Sequence, residues 1–204
     1  MKPILFYDVE TTGLPDWKAP SDAEQQPHIV QLACILADAD TREEVASMSV
    51  IVSADGWLIP EEVTAIHGIS TLAAQQLGVG EEIALKMFAG IWKSPSTIRV
   101  AHNKTFDQRI MRIGFKRYGL DLFMEDWADK DSHFCTMRMY QQQFGGKSVK
   151  LIDAYHDATG EQMEGAHDAM ADTRACMTVY WWLLDQQKPK AGSPFDLMET
   201  ASVS

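Results

Sequence analysis

Dense apolar runs come first along this chain, and spaced apolar stripes follow. Residues 4–9 form a short apolar and aromatic run ending beside an acid, which predicts a buried strand. Residues 15–27 hold three prolines and few apolar positions and read as a loop. Residues 29–37 and 45–53 are strand-like and are joined by a polar turn at 38–42. That spacing predicts an antiparallel hairpin, extended by the first strand into a meander. After Pro60 the texture turns helical. Pro60, Glu61 and Glu62 mark a helix start, Gly68 ends that helix, and Ser70 caps a second through about Leu77. Residues 81–92 place Ile83, Met87 and Ile91 beside Ala84 and Phe88 at helical spacing. A short strand is expected at 97–101, with helices at 104–118, 134–143, 151–158 and 168–186. Gly145 and Gly146 break the chain between the second and third of these helices. With no internal repeat or linker, the pattern predicts one α/β domain over 1–187 with a mixed sheet, and a flexible tail over 188–204.

Charge and cysteine content narrow the setting. Eighteen basic against 29 acidic residues give a net charge of −11, which argues against a broad basic face gripping long nucleic acid. It leaves room for an enzyme that meets only a strand end. Cys34, Cys135 and Cys176 are scattered and unpaired by spacing, and no cleavable signal or membrane-length apolar run is seen, so a cytoplasmic protein is expected. His133 and Cys135 have no partners at structural-zinc spacing.

Several acids do not fit a solvated surface. Asp8 and Glu10 stand two apart at the end of the first strand, so both side chains leave the same face. Two anions side by side at the end of an apolar strand repel, and a hard divalent cation with oxygen ligands offsets that repulsion economically. Gly13 permits a turn directly after them. Asn103 and Asp107 lie one helical turn apart, and Asp107 falls between Phe106 and Ile110 on an apolar stripe. His167 precedes the last helix after a flexible Gly165-Ala166 approach, and Asp172 lies about one turn inside that helix. A phosphatase of the Asp-x-Asp type would need aspartate where Glu10 stands.

These segments resemble a known family. Asp8-Val9-Glu10-Thr11-Thr12-Gly13-Leu14 looks like the first motif of the DEDD exonuclease superfamily, and residues 101–107 look like the second. His167 through Asp172 looks like the third, in the histidine-containing branch that includes polymerase III ε-subunit-like exonucleases and RNase T. Ile66-His67-Gly68-Ile69 resembles a further family segment that lies near the 3′-terminal nucleotide. The resemblance implies an RNase H-like five-stranded mixed sheet flanked by helices. It implies 3′→5′ removal of nucleoside 5′-monophosphates from single-stranded ends, with DNA favoured over RNA. Two Mg²⁺ or Mn²⁺ ions would be held by Asp8, Glu10, Asp107 and Asp172, with His167 as general base. Thr11, Thr12, Leu14, Ile66, His67, Asn103 and Phe106 would contact the strand. Alternatives are an RNA-trimming exoribonuclease and a non-catalytic nucleic-acid-binding module on the same fold. Three features depart from the family: the 15–27 loop is long, 131–137 matches only loosely, and Gln31 stands where many members carry an acid. Gln31 receives no role on this reading. Nothing beyond Lys188 suggests association with a polymerase or a clamp, and the sequence leaves the oligomeric state open.

Overall fold

The computed structural model describes residues 2–92 and 97–187. Five strands, β1 (Pro3–Thr11), β2 (Ile29–Asp38), β3 (Glu44–Ile51), β4 (Ile98–Ala101) and β5 (His133–Cys135), form one sheet in the order β3-β2-β1-β4-β5. β1 to β3 make the antiparallel meander, while β4 and β5 run parallel to β1, so the sheet is mixed as expected. The helices are α1 (Glu61–His67), α2 (Thr71–Leu77), α3 (Glu81–Trp92), α4 (Lys104–Arg117), α5 (Met124–Ala128), α6 (Thr136–Phe144), α7 (Leu151–Thr159) and α8 (Ala169–Gln187). The expected tail over 188–204 lies outside the described residues.

Alternation along β1 divides the molecule into layers. Leu5, Tyr7 and Val9 enter the larger core with α3 and α4, where Trp127 packs edge-on against Tyr7, Phe88, Trp92 and Phe115. Ile4 and Phe6 face the opposite way, onto Cys176 and Tyr180 of α8. Asp8 and Glu10 continue that second set, so the two acids leave the sheet on the α8 side. β1 is the middle strand, paired on both edges, and a side chain borne there has little freedom to drift.

One expected boundary is corrected. Residues 134–143 read as helix, yet His133–Cys135 is the edge strand β5 and the helix begins at Thr136. Three residues are too few for periodicity to register, and their strand geometry comes from pairing with β4. The short helix α5 likewise leaves no clear signal in the sequence. Among the described residues no helix is long and apolar enough to cross a membrane.

The 15–27 loop is ordered from within. The buried Gln26 side chain donates to the carbonyls of Asp16 and Pro20, both at 2.9 Å, and accepts from the Asp16 N–H. Arg109 of α4 reaches across to the Ala19 carbonyl and the Ser21 hydroxyl. The loop base is closed where Thr12 and His28 exchange two hydrogen bonds, each 3.0 Å. Behind His28 sits Glu81, only 3% exposed, which accepts from Ile29 N–H, Arg117 and Tyr118 and pairs with His28 at 2.8 Å. Burial alone would raise the Glu81 pKa, but His28, Arg117 and the Ile29 N–H more than reverse this and hold it below the usual value. Its contribution to stability is therefore present at neutral pH and lost as pH falls through that depressed value. Glu81→Ala is expected to cost about 3–5 kcal/mol, since Arg117 would be left without its carboxylate in a mostly buried site. The denaturant midpoint at pH 7 measures this, and a change below about 1 kcal/mol would contradict the buried-pair account.

Candidate active site

The four acids come from three elements that meet at one end of the sheet. β1 supplies Asp8 and Glu10, both half-buried. Asp107, 3% exposed, projects from the first turn of α4, and Asp172, half-buried, from the first turn of α8. His167 is exposed, just before α8, and its backbone takes the left-handed conformation at φ 69°. The ligating atoms of Glu10, His167 and Asp172 lie within 4.8 Å of one another.

Burial, reinforced by crowding of like charge, dominates the electrostatics here. Burial, then the neighbouring charges of Asp107, Asp172, Glu10 and Asp168, drives the Asp8 pKa well above the carboxylate range. Glu10 is pushed up to about 8 by burial and by Asp172, Asp107 and Asp168. Asp107 is also raised to about 8, chiefly by burial and further by Asp172, against backbone N–H donation from Asp107 itself and Val9. Burial raises Asp172 as well, and the His167 N–H, donating to its Oδ1 at 3.3 Å, partly offsets this. Among the described residues no lysine or arginine forms an ion pair with any of the four. An all-oxygen donor set without a basic partner among the described residues fits hard divalent cations, whose charge would offset the mutual repulsion of the carboxylates.

Beside the acids opens a cleft of about 430 Å³, bordered by His102, Asn103, Val149, Lys150, His167 and Asp172. Asn103 stands at its rim, exposed, with left-handed backbone at φ 54° and no capping hydrogen bond from its side chain. Leu14, 83% exposed, and Ile66, 54% exposed, are apolar side chains held out to solvent. Burial lowers the His67 pKa, an effect that the adjacent Thr11 backbone opposes and the His167 charge reinforces. Thr11 and Thr12 are differently placed. The Thr11 hydroxyl is tied to the Gly13 backbone, and the Thr12 hydroxyl and N–H are both engaged by His28. Their polar groups therefore shape the turn that presents Leu14. Phe106 is half-buried against the larger core and lies mostly beneath the surface.

Two contributors carry no assignment on the sequence alone. His102 accepts at Nδ1 from the Thr136 hydroxyl at 2.8 Å and donates from Nε2 to the Val149 carbonyl at 3.0 Å, which ties the far wall of the cleft to β4. Gln31, buried in β2, contacts Asp168 and Ala169 at the start of α8. Its signals in the sequence are a polar residue inside an otherwise apolar strand and the departure there from the acid that many family members carry.

Crystal structures of exonuclease I share the fold. For the Escherichia coli enzyme with a dA16 oligonucleotide the TM-score is 0.71 at 22% identity, covering 98% of this chain and 43% of that one. For the moderately thermophilic enzyme from Methylocaldum szegediense it is 0.70 at 22% identity, covering 93% and 42%. This chain thus spans less than half the length of those enzymes. Comparison with curated protein sequences gives no significant match. A family model for exonucleases, of the RNase T type, matches residues 5–180, a stretch that carries all four acids and His167. The chain belongs to this exonuclease family.

Proposed function

We propose that the chain removes nucleotides one at a time from the 3′ end of single-stranded nucleic acid, preferring DNA to RNA, by divalent-metal-dependent hydrolysis. The observation that carries this reading is the convergence of Asp8, Glu10, Asp107 and Asp172, which no lysine or arginine among the described residues pairs with, beside an exposed histidine. The similar exonuclease I from Escherichia coli is seen with dA16 and with dT13 oligonucleotides, which supports single-stranded DNA as substrate.

Asp8, Glu10, Asp107 and Asp172 would hold two Mg²⁺ or Mn²⁺ ions. When bound, these supply Lewis acidity toward a phosphodiester and make water acidic enough to attack at neutral pH. The chain's own part is positional and protic. His167, at the open face of the cluster, takes the proton from the attacking water. Leu14 and Ile66 offer apolar faces on which a terminal base can rest with His67 nearby, while Thr11 and Thr12 fix the turn that carries Leu14. Asn103 presents an uncommitted amide to the strand at the cleft rim, and Phe106 backs that edge. Stacking on apolar side chains tolerates any base, so it suits an enzyme that degrades without regard to sequence.

Digestion of matched 5′-labelled DNA and RNA oligonucleotides with Mg²⁺ or Mn²⁺ tests this. A ladder shortening from the 3′ end, release of mononucleotides, faster loss of DNA and arrest by EDTA are expected. Cutting of circular single strands would make the enzyme an endonuclease. Faster RNA loss would reverse the substrate preference, and activity surviving EDTA would remove the metal.

A further inference from the structure

The Gln31 side chain ties the N-terminus of α8 to the sheet. Across the β1–β2 pairing Gln31 stands directly opposite Glu10, so both leave the sheet on the same face. The Gln31 Nε2 donates to Asp168 Oδ2 at 2.8 Å, and its Oε1 accepts from the Ala169 N–H at 3.1 Å. The orientation of the amide is fixed by its partners, because a carboxylate needs a donor and an N–H needs an acceptor. The other oxygen of Asp168, Oδ1, accepts from the N–H groups of Met170 and Ala171 at 3.1 and 3.0 Å. The first three N–H groups of α8 are thus all taken, and the helical ladder starts with Asp172 N–H on the Asp168 carbonyl. Upstream, Asp168 N–H closes a turn onto the Gly165 carbonyl at 3.0 Å. Gly165-Ala166 thus enter a hydrogen-bonded turn, with His167 at its apex in a backbone conformation few non-glycine residues adopt.

We propose that Gln31 is a positioning residue: by joining the Asp168 carboxylate to the Ala169 N–H, it sets where the His167 imidazole and the Asp172 carboxylate stand relative to Glu10. This rests on the exonuclease reading above. With Asp168 as its partner, an amide suits this position and a carboxylate would face a second carboxylate. The amide pairs with Asp168 in the required sense and adds no further negative charge beside Glu10.

The test exchanges the two partners. Q31E sets two carboxylates against each other, and D168N sets two amide donors against each other. The double variant Q31E/D168N restores the pattern, since the carboxylate now at position 31 accepts from both the amide now at position 168 and the Ala169 N–H. Asparagine caps helices as well as aspartate does, so D168N is expected to fold. With saturating 5′-labelled DNA and Mn²⁺, each single variant should lose about tenfold or more in single-turnover rate with strand affinity little changed. The double variant should return to within about threefold of the parent, a strongly non-additive cycle. The rise in melting temperature on adding Mn²⁺ should shrink in the singles and recover in the exchange.

Singles that melt lower but cleave normally per folded molecule would overturn the proposal, as would losses that simply multiply in the double variant. A double variant that does not fold would also overturn it, whereas rescue of an unfolded single by the exchange supports it. If the parent itself cleaves nothing, the exonuclease reading fails. The melting temperatures and Mn²⁺ shifts of the cycle then still decide the role of Gln31.

Discussion

Replacing Asp107 with asparagine is expected to reduce strand cleavage by on the order of 10³-fold or more, while raising the melting temperature of the metal-free protein. The two effects share one cause. Asp107 is 3% exposed, and burial together with the Asp172 charge lifts its pKa to about 8. A carboxyl whose folded value lies above its unfolded value, about 3.9, stabilises the fold fully only below that lower value. Its contribution is lost as pH rises through about 8. Metal-free protein should therefore weaken as pH climbs from 5 to 9, and Glu10, also raised to about 8, adds to the trend. Asparagine keeps the shape and removes the charge, so the variant should gain most over the parent at pH 9. Thermal melts in EDTA at pH 5, 7 and 9, repeated with excess Mn²⁺, measure both halves. The parent should recover stability with metal by mass action and the variant should recover less. An Asp107→Asn protein that melts below the parent at every pH would mark the residue as a structural acid.

His167→Ala should slow cleavage by roughly 10²–10⁴-fold, the range of a positioned general base, and leave metal-dependent stabilisation largely intact. The side chain is exposed at the apex of its turn, while the backbone there is held by the Asp172 carboxylate, so truncation removes an imidazole without loosening a core. Left-handed backbone disfavours alanine slightly, and a small drop in melting temperature is compatible with the assignment. The discriminating quantity is single-turnover rate per folded molecule, with the Mn²⁺-induced melting shift taken on the same preparation. A near-normal rate would confine His167 to the structure of the helix entry. Loss of the Mn²⁺ shift would instead make it a ligand, a role its distance to Glu10 and Asp172 also permits.

Most of the sheet and the chemistry-bearing residues can be read along the chain because their signals are local. Asp8 and Glu10 announce themselves by spacing at a strand end, and His167 and Asp172 by their place around a helix start. What escapes depends on distant partners. β5 is a strand only because β4 lies beside it. The contact between Gln31 and Asp168 joins residues 137 positions apart, and no window over either segment contains the other. Thr11 and Thr12 are expected beside the nucleic-acid strand, and what the sequence does not show is that the turn and His28 engage their hydroxyls. A helix over 134–143 starts too early for a related reason. Helical spacing in α6 extends smoothly into residues whose backbone is set by the sheet.

The latch between Thr12 and His28 uncouples the loop mechanically from the strand that bears Asp8 and Glu10. Everything between those residues hangs from a closed base, while Glu81 anchors the return strand from behind. Lengthening such a loop raises the entropy of closure by only about 0.6 kcal/mol per doubling, and the added chain would exert little torque on Asp8 and Glu10. Descendants of this sequence can accordingly lengthen, shorten or exchange that loop, and with it the surface an incoming strand meets. The clustered acids have no such freedom, because their places are set by the paired strand β1 and the first turns of α4 and α8.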